Sequence, residues 1–179
     1  AGTRIEQVVL LPILGINTAI ISIIAQNFGA KNFNRIKETY ITAIKYAFII
    51  MVISGIFVFI SAGVITSIFS HDPEVIEYGK NYLRISAFVL PAYPVFFLSN
   101  GFFMALKKSE MAMISNFFRN VLNPIVVFYI SRYIDASFST FFLIWVAINW
   151  FFSISYFLIV IYYLKNRLDK SRTILNPSP

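Results

Sequence analysis

The sequence predicts an all-α fold, a polytopic transmembrane helix bundle of about five spans. Three observations lead there. Apolar residues make up 58% of the 179 residues and charged residues only 13%, a balance that makes hydrocarbon rather than water the main solvent. The apolar residues gather into five long runs, each near the roughly 20 residues that a helix needs to cross a hydrocarbon core about 30 Å thick. The charges fall in short clusters between those runs.

The first run, residues 8–28, places Gly15, Thr18, Ala19, Ser22 and Gln26 on one face at 100° per residue. Small residues at that spacing let helix backbones approach closely, whereas Gln26, large and polar, is a cavity candidate. Residues 29–40 read as a turn through Gly29, Asn32 and Asn34, then a short amphipathic helix on the membrane surface around Arg35-Ile36-Lys37-Glu38. The second run, 41–69, is the longest and must tilt or extend into the interface. Asp72-Pro73-Glu74 has a capping residue, a proline at the first helical position and an early acid, so a helix should start there and lead into the third run, 85–106. Pro91 and Pro94 remove backbone donors from that run and should kink it. After a tight turn at Lys107 and Lys108 come the fourth run, 112–130, and the fifth, 140–164. Residues 165–179 form a basic, solvated tail ending Asn176-Pro177-Ser178-Pro179.

Orientation follows from the alternate loops, because short cytoplasmic loops carry the excess of Lys and Arg. Lys31, Arg35, Lys37, Lys107, Lys108, Lys165, Arg167, Lys170 and Arg172 fall on one side; Arg4, Lys80, Arg84 and Arg132 fall on the other, with Asp72, Glu74 and Glu77. The first side should be cytoplasmic, with the C-terminus on it, in a plasma (inner) membrane. The formal charge of +7 does not imply nucleic acid, since no water-facing basic patch collects it. With no Cys and a single His71, the chain offers no disulfide or thiolate site and no His cluster for zinc. No metalloprotease, phosphate-loop or nucleophile-elbow motif occurs, so no enzyme and no cofactor is expected. Residues 1–7 lack the features of a cleavable signal and read as a chain opened mid-protein.

An isolated polar group in hydrocarbon costs several kcal/mol unless it finds a partner, so function is sought at embedded polar residues. Asn116, Arg119, Asn120 and Asn123 share about one face of the fourth run. Either they line a cavity, or Arg119 snorkels to the headgroups while the Asn residues bond neighbouring helices and carbonyls freed by Pro124. In the fifth run Asn149, Ser153 and Tyr156 align, with packing the leading reading and Asn149 a cavity candidate; Trp145 and Trp150 read as anchors or packing groups. Lys45 lies close enough to its helix end to snorkel. Arg4 and Glu6 read as interfacial charges, with ion coupling by Glu6 the alternative.

Several segments resemble the multidrug and toxic compound extrusion (MATE) family. The stretch Ala25-Gln26-Asn27-Phe28-Gly29-Ala30-Lys31-Asn32-Phe33-Asn34-Arg35-Ile36-Lys37 is similar to the Gln/Gly-Ala/Arg/Lys segment after the second helix of each lobe. Phe69-Ser70-His71-Asp72-Pro73-Glu74-Val75, followed by Tyr82-Leu83-Arg84-Ile85, resembles an outer loop of that family. Ala105-Leu106-Lys107-Lys108, then Ser115 to Asn120 and Pro124, resembles its next inner turn and fifth helix. In order and spacing these resemble helices eight to twelve, part of a C-terminal lobe, with the N-terminal lobe of the same protein as the missing partner. The resemblance implies an antiporter that exports organic cations or amphipathic drugs and toxins, coupled to Na⁺ or H⁺, from a cavity between two repeats. Some relatives use a carboxylate pair of this lobe for coupling, yet residues 85–106 hold no Asp or Glu, which puts that route in doubt. The rival readings are a lipid or lipid-linked-oligosaccharide flippase of the same superfamily and a non-transporting membrane scaffold.

Overall fold

The computed structural model describes residues 2–133 and 137–168, and among them every element is helical. Helix α1 (Gly2–Gly29) is followed by α2 (Phe33–Phe69), α3 (Pro73–Ala87) and α4 (Ala92–Ala105). Then come α5 (Ser109–Phe117), a π-helical turn (Phe118–Leu122), α6 (Asn123–Tyr133) and α7 (Phe138–Tyr163), which runs into a second π turn (Leu164–Leu168). Four helical stretches are long and apolar enough to cross a membrane: Glu6–Gly29, Phe33–Phe69, Ser109–Tyr133 and Thr140–Asn166. The pair α3 and α4, bent by 52°, is long and apolar enough only when taken together, and counts as a fifth if it is one broken span.

Two features differ from the sequence reading. No separate surface helix precedes the second span, because Arg35–Glu38 are the opening turns of α2 and nothing between Asn32 and Ile41 breaks it. Residues 85–106 are not one kinked helix: α3 ends at Ala87, and α4 begins anew at Ala92. Helical backbone continues into the start of the polar tail as far as Leu168; residues 169–179, with Lys170 and Arg172, lie outside the described residues.

The caps show why the helices start where they do. The Asn32 side chain accepts from the Arg35 N–H, that of Asp72 from the Glu74 N–H at 3.0 Å and that of Ser137 from the Thr140 N–H, each satisfying a first-turn donor. Two turns at one end of the bundle repeat a motif. Lys31 and Lys107 have φ of 56° and 58°, and the amides of Asn32 and Lys108 reach back to the Asn27 and Phe103 carbonyls at 2.8 and 2.9 Å. This closes the last turns of α1 and α4 and places a cation at each helix C-terminus, where the dipole favours it.

The core is built on α2 and α4. Helix α2 buries Ile36, Tyr40, Ala47, Met51, Gly55, Val58 and Ala62, a stripe at three- and four-residue steps. Helix α4 is buried almost all round, with Tyr40 donating to or accepting from the Ser99 hydroxyl at 2.8 Å. Helix α1 packs through Ile13, Ile20 and Ile24, with Asn17 seated against Gly101, where a Cβ would collide with its Oδ1.

The break between α3 and α4 has a backbone cause. Pro91 and Pro94 lack N–H groups, so the carbonyls of Ala87 and Leu90 lose their helical donors. The chain answers with tighter bonds, Ala92 to Val89 and Tyr93 to Leu90 at 2.9 and 3.2 Å. The Phe88 carbonyl, orphaned by this tightening, accepts from Trp150 Nε1 of α7 at 2.8 Å. The Ala87 carbonyl lies against Gly55, where a Cβ would come within 2.9 Å of its oxygen.

Candidate functional site

The embedded cation is Arg119, in the π turn. Pro124 cannot donate to the Asn120 carbonyl and its ring crowds that group, so the helix widens just before it, and the Asn123 N–H bonds to the Phe118 carbonyl five residues back. The wider turn keeps Arg119 and Asn123 turned inward across it, and Ser115, Val127 and Ser131 in the flanking α-helices are also half-buried or buried at four-residue steps. A regular helix would drift about 40° at each such step. Asn116 and Asn120 are rotated outward and exposed.

Arg119 is half-buried over three rings of α4, with its Cζ 4.2 Å from the Phe96 centroid, 4.8 Å from Tyr93 and 5.4 Å from Phe97. Positions 93, 96 and 97 share one helix face, so a single stretch just after the break supplies all three. Ring faces attract a guanidinium through their quadrupole, most strongly where water is excluded. The ion pair that the described residues contain is elsewhere: exposed Arg35 with Glu38 at 3.0 Å. Glu6 is engaged with Tyr82, whose hydroxyl donates to Oε1 at 2.9 Å and joins α1 to α3.

The structure separates the polar residues that the sequence put on one stripe. Asn116 Nδ2 donates to the Ala112 carbonyl of its own helix at 2.9 Å, so it bridges to no neighbour. Asn123 is buried and its Oδ1 has no partner among the described residues. Asn149 is also buried, donating to the Trp145 carbonyl at 2.9 Å, and Ser153 and Tyr156 are buried beside it. The Tyr156 hydroxyl and Ser115 Oγ both donate to Asn100 Oδ1, at 3.2 and 2.9 Å, tying α4, α5 and α7 together. Gln26 is exposed, with Ser22 Oγ 3.5 Å from its amide nitrogen. The whole face of Gly15, Thr18, Ala19, Ser22 and Gln26 is uncovered, so α1 does not use its small residues to pack within this chain.

The ring cage of Arg119 and the Trp150 cap were not found from sequence. The first had a signal, since Tyr93, Phe96 and Phe97 stand at helix spacing in an apolar run. Nothing in the sequence says that Trp150 faces the break.

A family model described as MatE matches residues 1–130. The chain belongs to the MatE family. It is 25% identical over 135 residues to a FAD transporter of Shewanella oneidensis, covering 75% of this chain and 30% of the relative. It is 22% identical over 133 residues to the probable multidrug resistance protein YpnP of Bacillus subtilis, covering 74% and 28%. The fold is that of a solved multidrug resistance MATE family transporter of the MOP superfamily in its inward-facing conformation, with TM-score 0.84, 22% identity, and 94% of this chain and 39% of that one covered. This MatE chain thus spans roughly a third of the length of its relatives.

Proposed function

We propose that this segment is part of the C-terminal lobe of a secondary active antiporter that exports amphipathic organic solutes, driven by Na⁺ or H⁺. One observation carries the reading: a MatE-family helix holds a guanidinium inside the membrane, on three rings and without a carboxylate within ion-pair distance among the described residues. Structural Arg residues in a bilayer pair with acids or snorkel, so an Arg held by ring faces suits a solute path. The uncovered α1 face with Gln26, and Asn120 beside Arg119, belong in this reading to the wall that meets the other lobe, and alternating access is the rocking of the two repeats about that cavity. Asn116, Asn123 and Asn149 serve the helices behind it. The Lys31 and Lys107 turns and the C-terminus lie on the cytoplasmic side, as the basic count favours. The names of the two curated relatives, a FAD transporter and a probable multidrug resistance protein, support amphipathic aromatic solutes as cargo.

The test is solute movement by the full-length transporter in proteoliposomes under an imposed Na⁺ or pH gradient, with FAD and ethidium as probes. Ion-driven movement of either probe, abolished by collapsing the gradient, is the expected result. No movement of either under both gradients would overturn the antiporter reading.

A further inference from the structure

We propose that Arg119 and its ring cage bind the anionic group, a phosphate or carboxylate, of an aromatic solute, so that the transporter selects anions over organic cations. The inference rests on the antiporter reading above and adds the sign of the cargo. A guanidinium carries five N–H donors in its plane, and ring faces at 4.2, 4.8 and 5.4 Å neutralise none of its charge. The three rings offer one polar atom among them, the Tyr93 hydroxyl. None of the described carboxylates forms an ion pair with Arg119, although the charge of Glu6 reaches Tyr93. Glu6 accepts from Tyr82 at 2.9 Å, Glu38 pairs with Arg35 at 3.0 Å, and Glu110 sits nine residues before Arg119, about 14 Å along the helix.

The charge therefore acts on whatever enters beside it. A carboxylate or phosphate presents two oxygens that match the guanidinium fork, whereas a cation 6 Å away is disfavoured by about a hundredfold at an effective dielectric constant near 20. The aromatic half of the specification comes from Phe96. Its ring carries Arg119 and also lines an apolar hollow of about 260 Å³ with Phe118, Phe152 and Tyr156; Arg119 does not line that hollow, so a small planar ring seated there is separated from the cation by the Phe96 ring that both share.

The experiment compares FAD, an aromatic anion, with ethidium, an aromatic cation, in the full-length protein reconstituted in phosphatidylcholine. The wild type should move FAD in preference to ethidium. Arg119→Ala should lower FAD transport by about tenfold to a hundredfold, the loss of one charge-assisted contact set, while Arg119→Lys keeps part of it because charge survives without the fork. Ethidium moved and FAD not would overturn the anion assignment while leaving the antiporter standing. FAD moved equally by wild type and Arg119→Ala would remove Arg119 from the site. A lipid headgroup could supply the same phosphate, so the variants are repeated with phosphatidylglycerol present. An Arg119 effect confined to those vesicles would assign the cage to lipid and overturn the solute reading. Should Arg119→Ala fail to reach the membrane, the wild-type preference and the Lys variant still decide between these outcomes.

Discussion

Replacing Trp150 by Phe removes one N–H and keeps an aromatic ring against Phe48, whose centroid lies 6.4 Å away. The donor lost is the one that the Phe88 carbonyl uses, at 2.8 Å. Helix α3 has 15 residues, so at 1.5 Å per residue the break sits about 22 Å from the Pro73 end, well inside the hydrocarbon. Water is then no substitute partner. Side-chain hydrogen bonds between membrane helices average about 0.6 kcal/mol and reach about 1.7, while an acceptor left buried without a partner costs about 1–3. A carbonyl already stripped of its helical donor belongs near the top of the first range, and we expect Trp150→Phe to destabilise the full-length protein by about 1–2 kcal/mol. Equilibrium unfolding in mixed detergent micelles of increasing dodecyl sulfate content would measure it. Trp145→Phe is the control, since Trp145 packs edge-on to Phe142 at 6.4 Å and caps no carbonyl of the break. An unchanged unfolding midpoint for Trp150→Phe, or an equal loss for Trp145→Phe, would refute the capping argument.

Gly55→Val should destabilise the protein by about 1–3 kcal/mol in the same unfolding measurement, because its Cβ would sit 2.9 Å from the Ala87 carbonyl oxygen and push α2 off the break. Lys107→Gly should stabilise by up to about 1 kcal/mol, since a φ of 58° strains a side chain and not glycine; a lower midpoint would mean that the cation at the α4 C-terminus outweighs the strain. On a cysteine-free background, a cysteine at Ser70 should react with an impermeant reagent in intact cells and one at Ser171 should not. The reverse pattern would invert the proposed topology.

How far the sequence disclosed the fold depends on what each feature needed. Long apolar runs, basic turns and the Asp72-Pro73 cap are local signals, and α5 to α6 and α7 follow from them within a few residues, while α1 and α2 start six and eight residues before their runs. The outcome at the prolines is not local. Pro91 and Pro94 announce a defect, but whether the chain kinks, breaks or widens depends on who receives the freed carbonyls, and those partners, Gly55 and Trp150, stand 36 residues before and 59 after Pro91. The polar stripe on the fourth run failed for the related reason that it assumed a constant 100° step. The π turn at Phe118–Leu122 changes the step where the stripe lies, so Asn116 and Asn120 left the face that Arg119 and Asn123 share.

The two proline defects also explain why the cation and its rings meet. Two prolines three residues apart remove two donors within one turn of helix, more than a wider turn can absorb, and the span bends by 52°. One proline at position 124 removes a single donor, and the helix widens before it, with the Asn123 N–H reaching the Phe118 carbonyl, instead of breaking. The first defect starts α4 at Ala92 and so brings Tyr93, Phe96 and Phe97 into its opening turns. The second swings Arg119 inward by the extra residue per turn. Each wall of the cage is therefore set by a backbone irregularity rather than by side-chain packing alone. Straightening the α3–α4 bend would move the rings, and returning the π turn to α-helical register would rotate Arg119 away from them. Either change alters how tightly the rings hold the cation, and under the proposed antiporter reading that would make its availability to a solute differ between two states.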